Sequence, residues 1–561
     1  MKKILLSFMT IGTLIFGCLS GFTQGEKQCP SNLKTETSNG ISGDYVIITL
    51  PELESSVDLL KTWKHYLGYT VEVVTTSWII SHYQGIDIQE QIRNYLIKKY
   101  NESSLSYVLL VGSLRSIPLR ICYPLPSVFT DHVSTDYYYA DLTGERDADH
   151  DGYYGEYSDD TVDFIPEVAI GRIPCDDSSL VRQICQNIIR YEHNTGTWKT
   201  NVLSLASIIY YENMTAFNWT YARSDGATLM ENCKSDILEP NGFSMVLMYE
   251  KEGIRPSTYS CEYPISHENV LTEWTKGYGL VNMLGHASEF VTTQFIWDHD
   301  DGDDIPEQTA GELQYVDFLR STDSANLRMK TPPIVISAGC SQLGGSKNIG
   351  RSFLEDGAAV AFIGTTDLSY YNITRLWRDE RDGGAFSLDY YFVSYLIGSH
   401  QKCGDALNNA KVTFLNHFMF TSYDSEWIKR CYSTLLGYSL YGDPAMGMTV
   451  NITDTAPPTL TLEQPNKYFY IQGSPIFSLQ HDVSFIFGGI EVKASAIDNE
   501  TGITTIELWI DGILKNITTA NKLEWFWDET SILQKHILKI IAIDTVGNCI
   551  EQEHMVWMLN I

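Results

Sequence analysis

Two short stretches carry residue types able to do covalent chemistry. Gly279 to Leu284 is an apolar run followed by Gly285 and His286, and Pro333 to Ser337 is a second, followed by Ala338, Gly339 and Cys340. Imidazole beside a thiol raises the thiolate fraction near neutral pH, and the thiolate is the attacking species. A nucleophile with a proton acceptor held on rigid strands is the arrangement that covalent catalysis needs. Taken singly, a cysteine ending a buried strand is more often a small core residue, and a lone histidine after a strand is more often structural. The matching strand-Gly settings, in the order His then Cys, favour chemistry. Glycines there let the backbone turn sharply and let a substrate approach closely.

Acidic clusters form a second group. Asp147, Asp149 and Asp151 alternate, with Gly152 at the sixth position and Tyr153 at the seventh, which is the opening of a calcium loop. The twelfth position is Ser158 rather than Glu, so Glu156, Asp159 or Asp160 is left to close it. Asp298, Asp300 and Asp303 form a second candidate shortly after His286. The expected cofactor is structural Ca2+, which ties loops and takes no part in thiol chemistry; a solvated acidic turn is the alternative. The cysteines form no C-x-x-C pair, so a zinc site is not expected.

Residues that emerge from strand ends need a sheet beneath them. Tyr45 to Thr49, Thr70 to Thr75, Tyr107 to Gly112, Asn201 to Tyr210, Gly279 to Leu284, Pro333 to Ser337 and Ala358 to Gly364 read as short buried strands. Between them, Val57 to Leu67, Gln89 to Tyr100, Asp177 to Tyr191, Tyr221 to Leu238 and Gly404 to Phe414 have helical spacing, and Leu436 to Tyr441 closes the region. Alternating strands and amphipathic helices imply a parallel sheet with helices on both faces. In such a sheet His286 and Cys340 emerge at the carboxyl edge, where α/β folds place ligands. Two successive α/β units are expected, 43–196 and 197–450, sharing one sheet or lying side by side. After Thr455-Ala456-Pro457-Pro458 the pattern changes to short strands, Ile490 to Ile497, Ile503 to Ile510 and His536 to Ile543, and 456–561 reads as an immunoglobulin-like sandwich.

Bulk properties narrow the setting. The chain has 561 residues, enough for several domains, with 43% hydrophobic residues and a net charge of −31. That charge argues against nucleic acid, whose phosphates need clustered Lys and Arg. Lys2, Lys3 and the apolar Ile4 to Phe16, followed by Gly17, Ser20 and Gly21, read as a signal peptide over 1–24, with a linker over 25–42. The expectation is a secreted or cell-surface monomer; Cys18 offers a lipid-anchor site as the less favoured route.

Several separate stretches resemble the gingipain family of cysteine peptidases, whose fold belongs with the caspases. They are Tyr107 to Ser113 with Ile117 and Pro118, Ser134 to Gly144, Asp147 to Glu156, Pro166 to Pro174, the Gly285-His286 and Gly339-Cys340 pairs, and Tyr438 to Ala445. The interval of about 50 residues between the His and the Cys is also that of caspases. The resemblance implies a three-layer α/β/α caspase-like region with two subdomains, followed by an Ig-like domain. It implies a cysteine endopeptidase acting on protein or peptide substrates, with Cys340 as nucleophile, His286 as proton carrier, and the backbone N–H groups of Ala287 and Cys340 as oxyanion hole. Related enzymes carry Gly after the histidine, where this chain has Ala287. A third, acidic partner for the histidine is unassigned, with Glu289 and Glu231 as candidates. The rival readings on the same scaffold are an inactive surface binding protein and a protein-maturation transpeptidase.

Overall fold

The computed structural model describes residues 44–123, 132–448 and 456–560, apart from 158, 195, 217–218, 372–376, 381, 420–424, 499–501 and 545–547. The apolar segment 1–24, Cys18 and the linker 25–42 lie outside the described residues.

The apolar runs become one eleven-stranded sheet. Its order is Tyr263–Pro264, Ser244–Tyr249, Asn201–Ala206, Leu280–Leu284, Ile334–Ser337, Ala361–Thr365, Tyr438–Tyr441, Ala169–Ile173, Leu105–Val111, Asp44–Thr49 and Thr70–Thr75. Tyr45, Val46, Ile47 and Ile48 are fully buried, as a strand covered on both faces requires. The intervening helices start where a side chain can satisfy the orphan amides. Asp87 caps Ile88–Glu102, Asp177 caps Ser178–His193, and Asn348 caps Ile349–Asp356.

The sheet is parallel within two blocks and antiparallel where they meet. The closing strand Tyr438–Tyr441 runs antiparallel to Ala361–Thr365 and parallel to Ala169–Ile173, with Tyr441 opposite Arg172. The two α/β units therefore share one sheet, and their carboxyl edges face opposite ways. Inserting the last strand between the blocks leaves no internal edge unpaired. Helix Ser425–Gly437 runs directly into that strand, so it begins at Tyr438 rather than Leu436.

Two elements depart from the expected pattern. The helix expected from Tyr221 begins only at Gly226, behind the Asp225 cap. Val291–Trp297 and Leu313–Arg320 form an antiparallel hairpin that pairs with His286 and Ala287. Its first strand buries Thr292, Thr293 and Gln294, a polar run that hides strand character in the sequence.

Beyond residue 456 the described elements are all β-strands. A three-stranded sheet, Thr459–Gln464, Ile490–Ile497 and Lys522–Trp527, shares one core with a seven-stranded sheet that contains Ile503–Ile510, Ser531–Asp544 and Cys549–Asn560. Leu462, Val492 and Trp527 from the first sheet pack with Ile506, Ile540 and Val556 from the second. The result is a β-sandwich, and Arg182 of the α/β region donates to Thr519 Oγ1 of the sandwich at 2.8 Å.

Candidate active site

Strands Leu280–Leu284 and Ile334–Ser337 are parallel neighbours, with Leu280 opposite Ile334 and Met283 opposite Ser337. His286 lies three residues beyond Met283, and Cys340 lies three residues beyond Ser337. The shared offset brings both residues off the same edge side by side, on strands about 4.8 Å apart. Contact between their neighbours agrees. A Cβ built on Gly339 would lie 2.6 Å from the Ala287 Cβ, so the methyl of Ala287 is accommodated only because residue 339 is glycine.

His286 Nε2 lies 2.8 Å from the Ile209 carbonyl oxygen. A carbonyl only accepts, so Nε2 carries the proton and Nδ1 is left as the base. The ring is boxed by Tyr210, Phe295 and Tyr315, with centroids at 5.8, 5.2 and 5.5 Å. Burial lowers the imidazole pKa below its ordinary value, and the bond to Ile209 only partly offsets this. At Nε2 the ring is oriented by the Ile209 carbonyl. Glu231 accepts from the Tyr249 hydroxyl, and the Glu289 backbone carbonyl accepts from the Ile349 amide.

Cys340 is held by the turn that follows Ala361–Thr365. The Ser369 amide donates to its Sγ at 3.3 Å, and the Ser369 carbonyl is 3.6 Å from the same sulfur. Burial raises the thiol pKa, opposed by the Ser369 amide and reinforced by the Asp367 charge. At neutral pH the resting pair is thus a thiol and a neutral imidazole. Ser341, directly after it, has φ +55°, a left-handed backbone fixed by its amide donating to the Asp367 carbonyl and to Thr365 Oγ1.

The oxyanion candidates have suitable amides. Ser288 N donates to Val291 O, and ladder pairs alternate, so Ala287 opposite Thr292 is a non-hydrogen-bonded pair whose N–H points away from the hairpin. The Cys340 amide makes no hydrogen bond among the described residues. Two free donors beside a thiol and a base are the components of acyl transfer. The Ile209 carbonyl, the aromatic box and Ser369 were absent from the sequence-based candidates. A backbone carbonyl leaves no mark in a sequence, and the aromatics are scattered from 210 to 315.

Two acidic loops group carboxylates. Asp147, Asp149 and Asp151 present carboxylate oxygens within 4.8 Å of one another, and so do Asp149, Glu156 and Asp159. Asp147, Asp149 and Asp151 accept from the amides of Gly152, Asp151 and Tyr153. Glu156 is 1% exposed, and among the described residues neither of its carboxylate oxygens has a partner. Burial and the charges of Asp151, Asp160, Asp159 and Asp149 push its pKa up to about 7. In the second loop the grouped acids are Asp300, Asp301 and Asp303. Asp298 stands outside that group, beside His299 at 3.5 Å, and Asp301 takes the place expected for it.

The sequence matches the model of peptidase family C25 over residues 38–449. No curated protein matches the chain. Among solved structures, the Arg-specific cysteine proteinase gingipain R (RgpB) is similar at 17% identity and a TM-score of 0.51, covering 92% of this chain and 98% of that one. The complex of RgpB pro- and mature domains from Porphyromonas gingivalis is similar at 17% identity and a TM-score of 0.50, covering 92% and 100%. At such identity those structures speak for the fold, while the family match spans most of the chain. The chain belongs to peptidase family C25, the gingipain family of cysteine peptidases.

Proposed function

We propose that the chain is an exported cysteine endopeptidase that cleaves peptide bonds through Cys340 and His286. The observation that carries this is the shared register of the two residues on neighbouring strands, with the Ala287 amide outside the hairpin ladder beside them. As Cys340 Sγ attacks the scissile carbonyl carbon, His286 Nδ1 takes the thiol proton. The carbonyl oxygen becomes an oxyanion held by the amides of Ala287 and Cys340. Protonated His286 passes the proton to the leaving amine, the C–N bond breaks, and a thioester remains. Water, deprotonated by His286, then releases the acid and restores the thiol.

Around this core we read the α/β region as caspase-like and the sandwich as Ig-like. The apolar segment 1–24 supports export. Structural Ca2+ in the loop of Asp147, Asp149, Asp151, Tyr153 and Glu156 is supported by the buried, unpartnered Glu156 carboxylate, which a divalent cation would satisfy.

The test incubates wild type and Cys340→Ala with a peptide library and with iodoacetamide. Cleavage by the wild type alone, with alkylation mapped to Cys340, is expected. Equal cleavage by both proteins, or none together with an unlabelled Cys340, overturns the reading.

A further inference from the structure

The substrate's side chain must rest against whatever lies beside Cys340. The Ser369 amide that donates to Cys340 Sγ is followed by Tyr370 and Tyr371, and the Tyr371 hydroxyl donates to the Ala338 carbonyl, two residues before the thiol. Tyr370 and Tyr371 cluster with Trp427, Arg430, Cys431 and Thr434. Arg430, on helix Ser425–Gly437, carries its guanidinium carbon 5.8 Å from the Tyr370 ring centroid.

On the other side, Tyr210 stacks against Tyr221 with centroids 4.6 Å apart and meets His286 edge-on at 5.8 Å. Burial raises the pKa of both phenols, and the Arg430 charge opposes that rise in each. Arg430 thus sits over Tyr370, whose neighbour Ser369 bonds the Cys340 sulfur. It is half-buried, and among the described residues no carboxylate pairs with it. A partly buried guanidinium without an anion is costly, since its desolvation is not offset. It presents a planar set of donors suited to a carboxylate.

We propose that Arg430 is a specificity-determining residue that receives the carboxylate of an aspartate or glutamate side chain on the acyl side of the scissile bond. The proposal rests on the thiol-peptidase reading above. It follows from a half-buried guanidinium with no carboxylate partner among the described residues, set over the tyrosine that follows Ser369 at Cys340. Charge-assisted hydrogen bonds of this kind contribute roughly 10- to 100-fold in discrimination. The acid whose charge reaches Cys340, Asp367, is engaged by the Leu368 amide. It is the group that would instead favour a basic side chain.

The test compares kcat/KM for peptides differing only in the residue before the cleaved bond, with Asp, Glu, Asn, Gln, Lys or Arg there. Wild type is expected to prefer Asp or Glu over its amide by at least about tenfold. R430Q, which keeps the side-chain stem, should lose that preference while iodoacetamide still labels Cys340 at the wild-type rate. A binding arm uses C340A and C340A/R430Q with the Asp and Asn peptides. Tighter binding of Asp to C340A alone supports the assignment. Preference for Lys or Arg, or an acidic preference that survives R430Q, overturns it and leaves the thiol chemistry standing. No cleavage, no labelling of Cys340 and no Asp-over-Asn difference in binding overturn both.

Discussion

At the scale of the residue, the site is defined by two neutral groups. Burial raises the Cys340 thiol, with Asp367 adding to the rise, and burial lowers the His286 imidazole. Both shifts oppose a preformed thiolate–imidazolium pair, and a backbone carbonyl rather than a carboxylate orients the ring, so charge on the imidazole gains little support. Below the thiol pKa the thiolate is scarce, and its fraction climbs as pH rises. The alkylation rate of Cys340 by iodoacetamide should therefore climb with pH, with its midpoint above the ordinary cysteine range. Stopped-flow or mass-spectrometric rates from pH 5 to 10.5 measure this, and a fast plateau already present near pH 6 would contradict the neutral pair. His286, Cys340 and their glycines were legible because each ends an apolar run. The Ile209 carbonyl and the positive φ of Ser341 were not, since tertiary contacts with residues far along the chain set both.

At the scale of the element, the glycine before each functional residue is where two elements touch. Replacing Gly339 by alanine drives a new methyl to 2.6 Å from the Ala287 Cβ, so the strand end or the hairpin must shift. Overpacking of this kind costs about 1–3 kcal/mol. Gly339→Ala should lower both denaturant stability and peptidase activity, and Ala287→Gly in the same chain should return a large part of both. A double-mutant cycle with coupling near zero would mean that the two residues do not meet. The acidic loop is a second element-scale case. Asp149, Glu156 and Asp159 gather carboxylates around a buried acid whose oxygens have no protein partner, an arrangement costly without a cation. Calcium at millimolar concentration should raise the melting temperature by several degrees, and Glu156→Gln should remove most of that rise; identical curves with calcium and with chelator would count against the site. The strands and most helices could be placed from hydrophobic period alone. The Val291–Trp297 strand could not, because its buried Thr292, Thr293 and Gln294 are polar; Gln342 Nε2 donates to Thr292 and Thr293 Oγ1 donates to the His286 carbonyl.

At the scale of the whole molecule, the sheet joins two blocks through a strand from the far end of the α/β region. Composition and period pointed to an α/β fold, but the order of strands is non-local, and nothing in Tyr438–Tyr441 announces that it separates Ala361–Thr365 from Ala169–Ile173. The junction is sealed by a buried charge cluster. Lys64 Nζ contacts Glu192 at 2.8 Å and Asp443 at 2.6 Å, Tyr45 Oη donates to Asp443 at 2.9 Å, and Trp63 Nε1 donates to Glu192 at 2.7 Å. These groups come from the first strand, the first α-helix, helix Ser178–His193 and the turn after the closing strand. Burial alone would lower the Lys64 pKa, but Asp443 and Glu192 outweigh it, and the net shift is upward. A folded-state value above the unfolded one stabilises fully below the unfolded lysine pKa of 10.5 and is lost only as pH rises through the folded value. At neutral pH the cluster is intact. Lys64→Met strands two buried carboxylates and should cost about 3–5 kcal/mol. Because one sheet crosses the junction, the loss should fall on both blocks together. Native-state hydrogen exchange of the Asp44–Thr49 and Ile334–Ser337 amides should report the same drop in opening free energy. Exchange that accelerates only in the Asp44–Thr49 strand would show that the two blocks open independently despite their shared sheet.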